Sequence, residues 1–313
     1  MLNDFPTRIV ARAKRDWARY SFDRTARAVL TTGPLELRGD SPLFLSQLRH
    51  ADVIAYLLAI KSVYPQFGHG QIRVISDGSL DAGDVKILEH HLPGIGFLDV
   101  SSIATAPCPR GGTWERLVKI VELSAENYVV QVDADILAIA PAPELARCWQ
   151  ENKSFLLGTG AGQGLAPARE TACMVQGWIE QYKWNPIPVG IEAEAALDRL
   201  PNAGARLYVH ASSGFGGYAR GAFKMSELHW FSTTMAAILG AERWAQLGTE
   251  QIGSNYILAN APGAFVLPFP RYTNFEPPGD ISDSALVHFI GKYRYERGAY
   301  RRHAASFISR CVY

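Results

Sequence analysis

The stretch Asn127-Tyr128-Val129-Val130-Gln131-Val132-Asp133-Ala134-Asp135-Ile136 limits what this chain can become more than any other. Its β-branched and aromatic residues make a run long enough for one buried strand. Two carboxylates, one residue apart, end that run. Asp is poor in strands, so the pair marks where the strand stops. In an open α/β sheet, ligands collect outside the carboxyl ends of the strands. Two oxygen donors placed there suit a hard divalent cation such as Mg²⁺ or Mn²⁺. A cation with so few protein ligands completes its shell with substrate phosphates. The expectation is a metal–diphosphate site at a sheet edge; the alternative is a pair of turn or cap residues.

The flanking pattern alternates strand and helix. Strands are expected at 43–45, 71–76, 96–100, 154–158, 207–210, 264–267 and 285–292. Between them, helical periodicity covers 52–64, 84–91, 114–124, 143–151, 169–182, 191–200 and 223–239, and a last helix opens at Gly248 with Thr249 as N-cap. Such repetition implies an α/β fold, a mixed and mostly parallel sheet flanked by helices in a single large domain. The segment Gly158-Thr159-Gly160-Ala161-Gly162-Gln163-Gly164 is not a dinucleotide fingerprint. It lies mid-chain, and Pro167 separates it from the next helix. A loop beside the site is expected instead.

With 313 residues, 48% hydrophobic, 19% charged and net charge +1, the chain is neither disordered nor fibrous. The near-zero charge argues against nucleic-acid binding by bulk electrostatics. Cys108, Cys148, Cys173 and Cys311 lack the spacing of a zinc site or a disulfide framework, so a reducing, cytoplasmic setting is expected. No apolar run approaches the roughly 20 residues of a membrane span, and Arg8, Arg12, Lys14 and Arg15 interrupt any signal peptide.

Residues 1–38 read as a basic helical arm. Ile9, Val10, Trp17 and Tyr20 form its apolar face beside Arg8, Arg12, Arg15 and Arg19. It either packs on the outside of the domain or makes a peripheral membrane or partner contact. Residues 39–300 form the main domain, with an insertion at 160–207 that shapes a second-substrate pocket, and 301–313 read as a basic tail.

Further motifs follow in order. Residues 114–124 feed the Asp-x-Asp strand, and Ser212-Ser213-Gly214-Phe215-Gly216-Gly217-Tyr218 comes later. Then come Glu250-Gln251 with Asn255, and His288-Phe289-Ile290-Gly291 with Arg294 beyond it. In this arrangement, from 42 to 297, the sequence resembles the glycosyltransferases of the GT-A (Rossmann-like) fold, most closely the glycogenin-like retaining type. The resemblance implies a nucleotide-diphosphate sugar donor, UDP-sugar first, and a divalent metal, usually Mn²⁺. It assigns Asp133, Asp135 and His288 to the metal, with Asp133 also on the ribose or sugar side. It assigns Gly291, Lys292 and Arg294 to the pyrophosphate, Lys119 or Arg116 to the donor, and Ser213 and Gly214 to the sugar pocket. Glu250 and Gln251 then stand near the reacting carbon. The family's Lys-Pro-Trp after the final Gly is replaced here by Arg294-Tyr295-Glu296, and Ser212-Ser213 stands where Asn is usual.

Elementary chemistry agrees with these roles. Negative charge builds on a departing diphosphate, where a cation and basic side chains lower the barrier. The oxocarbenium-like carbon needs a nearby oxygen, from Glu250 or Gln251. An inverting course needs a base, and Glu250 or Asp283 could serve. Trp184, Trp230 and Trp244 either stack on an acceptor or pack in the core. The acceptor, saccharide, lipid-linked or protein, is not readable. Two rival readings are a sugar-phosphate nucleotidyltransferase and a catalytically silent GT-A-like binding protein; residues 44–48 lack the basic Gly-rich loop the former needs. All of this requires Asp135 and His288, far apart in the chain, to meet around one cation.

Overall fold

The computed structural model describes residues 5–160 and 164–311; the side chains of 5–11 and of Lys292 also lie outside the described part. Part of the glycine-rich loop (161–163) and the expected phosphate contact of Lys292 are thus outside the described residues. The chain opens with α1 (Phe5–Ala26), β1 (Leu43–Leu48), α2 (Val53–Val63), β2 (Gln71–Ser76), α3 (Ala82–His91) and β3 (Gly96–Asp99). It continues through α4 (Trp114–Leu123), β4 (Val129–Val132), β5 (Ile136–Ala138), α5 (Pro143–Gln150) and β6 (Phe155–Gly158). Next come β7 (Ala166–Pro167), α6 (Ala168–Tyr182), α7 (Val189–Ala195), β8 (Leu207–Tyr208) and β9 (Ala211–Tyr218). The last elements are α8 (Met225–Leu239), α9 (Ala241–Trp244), α10 (Thr249–Ala259), β10 (Phe265–Val266), β11 (Tyr272–Asn274), β12 (Leu286–His288) and α11 (Ala299–Cys311).

Seven strands form the main sheet in the order β10-β6-β9-β4-β1-β2-β3. β9 runs antiparallel to both neighbours, and the remaining pairs are parallel. Leu43, Phe44, Leu45, Val129, Val130 and Val132 are almost fully buried, as expected for strands covered on both faces. One face packs on α2, whose Leu57, Leu58, Ala59 and Ile60 are wholly buried, and the other on α4, α8 and α10. A second, three-stranded sheet, β11-β12-β5, sits beside the first. In it β12 pairs antiparallel with β5 and parallel with β11, which sets His288 opposite both Ile136 and Asn274.

Several expectations change at this level. The Ser-Ser-Gly segment belongs to an eight-residue strand, β9, wedged between β4 and β6, with an irregularity in register at Leu156/Leu157. β5 occupies part of the stretch read only as punctuated by proline. Thr249 is the first residue of α10 and makes no cap; its hydroxyl donates to the carbonyls of Trp244 and Gln246 at 2.7 and 3.0 Å. Of the apolar face expected on α1, the side chains of Ile9 and Val10 lie outside the described residues, and the other half does not pack inward. Trp17 and Tyr20 are 70% and 57% exposed, and Phe22 and Ala26 turn inward instead. Phe22 stacks on Tyr300 of α11 with ring centroids 4.2 Å apart, so the basic tail is a helix that docks with α1 and buries Ala304, Phe307 and Ile308. Among the described residues, no helix is long and apolar enough to cross a membrane. Trp244 is core, Trp230 lies under the Arg206 guanidinium at 3.7 Å, and Trp184 pairs with exposed Tyr182.

Candidate active site

Asp133 and Asp135 occupy the turn that joins β4 to β5. The turn is fixed by main-chain bonds: Asp133 N–H donates to the Gly214 carbonyl at 2.8 Å, and Phe289 N–H donates to the Asp135 carbonyl at 2.9 Å. These bonds tie the ends of β4, β9 and β12 together, so residues distant in sequence share one edge. His288 Nε2 stands 3.1 Å from Asp135 Oδ1, and both side chains are nearly buried. On its other side, His288 Nδ1 faces Ser212 Oγ at 2.9 Å and Asn274 Oδ1 at 3.2 Å. A cation held between Asp135 and Nε2 would replace this contact, with Nδ1–H given to the Asn274 oxygen.

Gly214 makes this possible. A Cβ there would sit 2.3 Å from His288 Cε1, so the imidazole rests directly on the β9 backbone. The glycine is required by this close approach and not by its φ.

Oxygens of Asp133 and Asp135 and a nitrogen of His288 all lie within 4.8 Å of one another. Each carboxylate already has a cationic neighbour. Arg116, near the start of α4, pairs through Nη1 with Asp133 and through Nη2 with Glu250 Oε1 at 3.4 Å. Arg294 pairs through Nη2 with Asp135, with Asp52 3.8 Å from its Nη1. Burial opposes the charge of Asp135, but His288 and Arg294 outweigh it and hold the carboxyl at about 2. For Asp133, burial and the neighbouring Asp135 win over Arg116 and raise it. Burial likewise raises Glu250 against the pull of Arg116. Both guanidinium groups are held charged by these carboxylates in spite of burial.

Glu250 is 3% exposed and both its oxygens are engaged, since Oε2 accepts from Thr113 Oγ1 at 3.0 Å and from Ser213 Oγ at 3.2 Å. Gln251 Oε1 accepts from Ser213 N–H at 3.4 Å, and Gln131 Nε2 donates to the Ser213 carbonyl. Ser213 and Gly214 are therefore pinned between α10 and the turn. A cleft of about 270 Å³ opens beside Asp133 and Asp135, lined also by Gln47, Arg49, Asp52, Asp77, Arg116 and Arg294 among others, whereas His288, Ser213, Gly214, Glu250 and Gln251 stand behind its lining. Gln47 Oε1 and Arg116 Nε are buried in its wall without a partner among the described residues. Such orphaned groups are costly unless a ligand meets them.

Not every expected residue converges. Lys119 pairs with Glu122 at 2.6 Å on the outside of α4 and does not line the cleft. Gly291 begins a 3₁₀ turn at φ 42°, three residues past His288. Asp283 is exposed and also absent from the lining. Asn274, Gln47, Asp77 and Thr113 were not anticipated. Asn274 reaches the site through the register of β11 on β12, and Gln47 and Asp77 through the parallel ends of β1 and β2. Asn274, Gln47 and Asp77 carry no local signal apart from standing at the carboxyl end of a strand, and Thr113 stands in the turn just ahead of α4.

No family model matches the chain, and no curated protein matches it in sequence. Solved structures do. The chain is similar to the bifunctional glycosyltransferase WbbM, with a TM-score of 0.52 and 13% identity, over 90% of this chain and 52% of that one. It therefore spans about half the length of WbbM. It is also similar to the galactosyltransferase LgtC, solved with donor and acceptor sugar analogues, with a TM-score of 0.49 and 12% identity over 87% and 96% of the two chains. A third is mouse xyloside xylosyltransferase 1, with a TM-score of 0.46 and 13% identity over 83% and 98%. The mixed, mostly parallel sheet with flanking helices is the GT-A fold, which this chain shares with WbbM. At such identities the likeness is one of fold.

Proposed function

We propose that the chain is a metal-dependent glycosyltransferase that takes a sugar from a nucleotide-diphosphate donor, a UDP-sugar first. The observation that carries this reading is that oxygens of Asp133 and Asp135 and a nitrogen of His288 lie within 4.8 Å of one another beside a cleft whose walls also carry Arg49, Arg116, Arg294, Asp52 and Asp77. The donor set fits a divalent ion. Two carboxylate oxygens and one imidazole nitrogen favour Mn²⁺ over Mg²⁺, which prefers an all-oxygen shell. Bound there, the ion would supply positive charge to a departing diphosphate.

The chain's own residues do the rest. Arg294 sits on a flexible arm and is able to turn from Asp135 to phosphate oxygens, where its planar fork gives paired, charge-assisted bonds. Arg116 is fixed between Asp133 and Glu250 and holds both carboxylates in place. Glu250 in turn positions Ser213, whose backbone and hydroxyl border the place for the sugar. With both its oxygens occupied, Glu250 serves better as a positioning residue than as a nucleophile, while the Gln251 amide is the nearer oxygen for a developing positive charge. The unpartnered Gln47 Oε1 offers an acceptor for a base N–H or a ribose hydroxyl. Peripheral membrane contact through α1 belongs to the same reading, since Arg12, Lys14, Arg15 and Arg19 accompany the exposed Trp17 and Tyr20.

Thermal unfolding with UDP, GDP or a nucleoside triphosphate, each with and without Mn²⁺, tests the proposal. A rise in Tm that needs both a nucleoside diphosphate and Mn²⁺ is expected, growing with ligand concentration. A rise with triphosphate alone would favour the nucleotidyltransferase reading, and no rise with any nucleotide would refute both.

A further inference from the structure

One ion pair outside the cleft lining has no part in the chemistry above. Glu194, in α7, is 1% exposed. Its Oε1 accepts from the Tyr208 hydroxyl at 2.9 Å, and its Oε2 lies 2.7 Å from His210 Nδ1. The carboxylate therefore fixes Nδ1 as the protonated nitrogen and leaves the lone pair on Nε2. Trp178 of α6 meets the ring edge-on, with centroids 5.1 Å apart at 80°. Thr159 Oγ1, just past β6, donates to the His210 carbonyl at 3.2 Å.

The imidazole is thus held by its own backbone, by α6 and by α7. No described residue takes Nε2, and the His210 side chain keeps 20% of its accessibility. Its position matters. His210 precedes by two residues Ser212, whose Oγ touches His288. At about 3.6 Å per residue, its Cα lies within roughly 7 Å of the Ser212 Cα. Neither residue lines the Asp-x-Asp cleft itself; Glu194 belongs to residues 160–207, the segment expected to shape the second-substrate side. A role confined to stability explains this poorly, because a buried carboxylate–imidazolium pair brings little net stability and needs no open nitrogen.

We propose that Glu194 and His210 form the acceptor-side base of the transferase. Nε2 of neutral His210 takes the proton of the attacking hydroxyl, and the hydroxyl oxygen bonds to the anomeric carbon. The bond from that carbon to the diphosphate oxygen breaks, and its electron pair leaves with the diphosphate. Glu194 stabilises the imidazolium that results. The step is that of a single displacement. It rests on the glycosyltransferase reading.

Water is the acceptor in the test, so no natural acceptor is needed. Release of UDP or GDP from a panel of UDP- and GDP-hexoses is followed with Mn²⁺ for wild type, His210→Gln and Glu194→Gln, beside calorimetric affinity for UDP or GDP with Mn²⁺. His210→Gln is expected to lower turnover about 100-fold or more and Glu194→Gln about tenfold, with nucleotide affinity unchanged within twofold. The wild-type rate should rise with pH through the titration of His210. That titration sits above the ordinary imidazole range, because Glu194 and Glu276 outweigh the burial that opposes its charge. Glu194→Gln should shift this limb to lower pH, which a structural role would not do. If His210→Gln keeps turnover within threefold while binding nucleotide normally, the base is wrong and the transferase reading survives. If both variants lose nucleotide binding, and His210→Asn does so too, the pair is structural and the base is again refuted. If the wild type neither binds nucleotide with Mn²⁺ nor releases it from any donor, both proposals fall.

Discussion

Among the described residues, two places gather a histidine and two aspartates closely enough to share one ion: Asp133, Asp135 and His288 in the cleft, and Asp81, Asp84 and His50 on the surface. They differ in what their carboxylates already do. Asp81 accepts from the backbone N–H groups of Gly83 and Asp84 at 2.7 and 2.9 Å, and Asp84 accepts from the Asp81 N–H at 3.0 Å. That is a reciprocal cap on α3, and it stands at the positive end of the helix dipole, where a cation is unwelcome. In the cleft, the carboxylate partners are the side chains of Arg116, Arg294 and His288. Of these, Arg294 on its long arm is able to swing away, whereas a helix amide cannot. Closeness of ligand atoms does not make a site; the mobility of their present partners decides.

The contrast can be attacked directly, and the largest effect is expected at its centre. Asp135→Asn should abolish the Mn²⁺-dependent rise in Tm with nucleoside diphosphate, while Asp84→Asn leaves it intact. An unchanged Mn²⁺ response in Asp135→Asn would remove the distinction. Next comes Gly214→Ala. Its methyl group would meet His288 at 2.3 Å, so overpacking should cost about 1–3 kcal/mol in denaturant unfolding, together with the Mn²⁺ response. Asp81→Ala should lower Tm by about 2 °C through loss of the α3 cap and should not alter Mn²⁺ binding measured by calorimetry. The smallest effect belongs to His50, which its hydrogen bond to Asp84 raises above the ordinary value of 6.5. Its contribution to stability is complete below that ordinary value and fades as pH climbs through the raised one. His50→Ala should flatten this slope in denaturation curves taken between pH 6 and 8.

Much of this was legible in the chain, for identifiable reasons. β1, β2 and β4 are apolar runs closed by turn residues, so periodicity found them, and the Asp-x-Asp marked an end that lies on the sheet edge. β9 was harder. Ser212, Ser213, Gly214, Gly216 and Gly217 are poor strand formers, and only pairing with β4 and β6 makes them one. The same glycines let aromatic and imidazole rings of neighbouring strands lie against the backbone; a Cβ at Gly217 would strike Phe155 at 2.2 Å. On α1, Trp17 and Tyr20 are apolar by type yet exposed, because burial follows the rings of Tyr295 and Tyr300, which Phe22 meets. Lys119 and Arg116 are about one helical turn apart and both cationic; their difference is set by which flank of α4 looks toward Asp133. His210 and Glu194 could not be paired in advance, since α7 and the chain ahead of β9 meet only in three dimensions.

The pairing of Arg294 with Asp135 and of Arg116 with Asp133 carries a last consequence. Because each acidic side chain has an internal counter-ion, this edge of the sheet never stands as a bare double anion. The polypeptide can thus reach its native shape before any mineral partner arrives, and a chelator should leave it folded. Loading becomes an exchange of one positive charge for another, in which the displaced guanidinium is set free close to where the phosphates of a donor would lie.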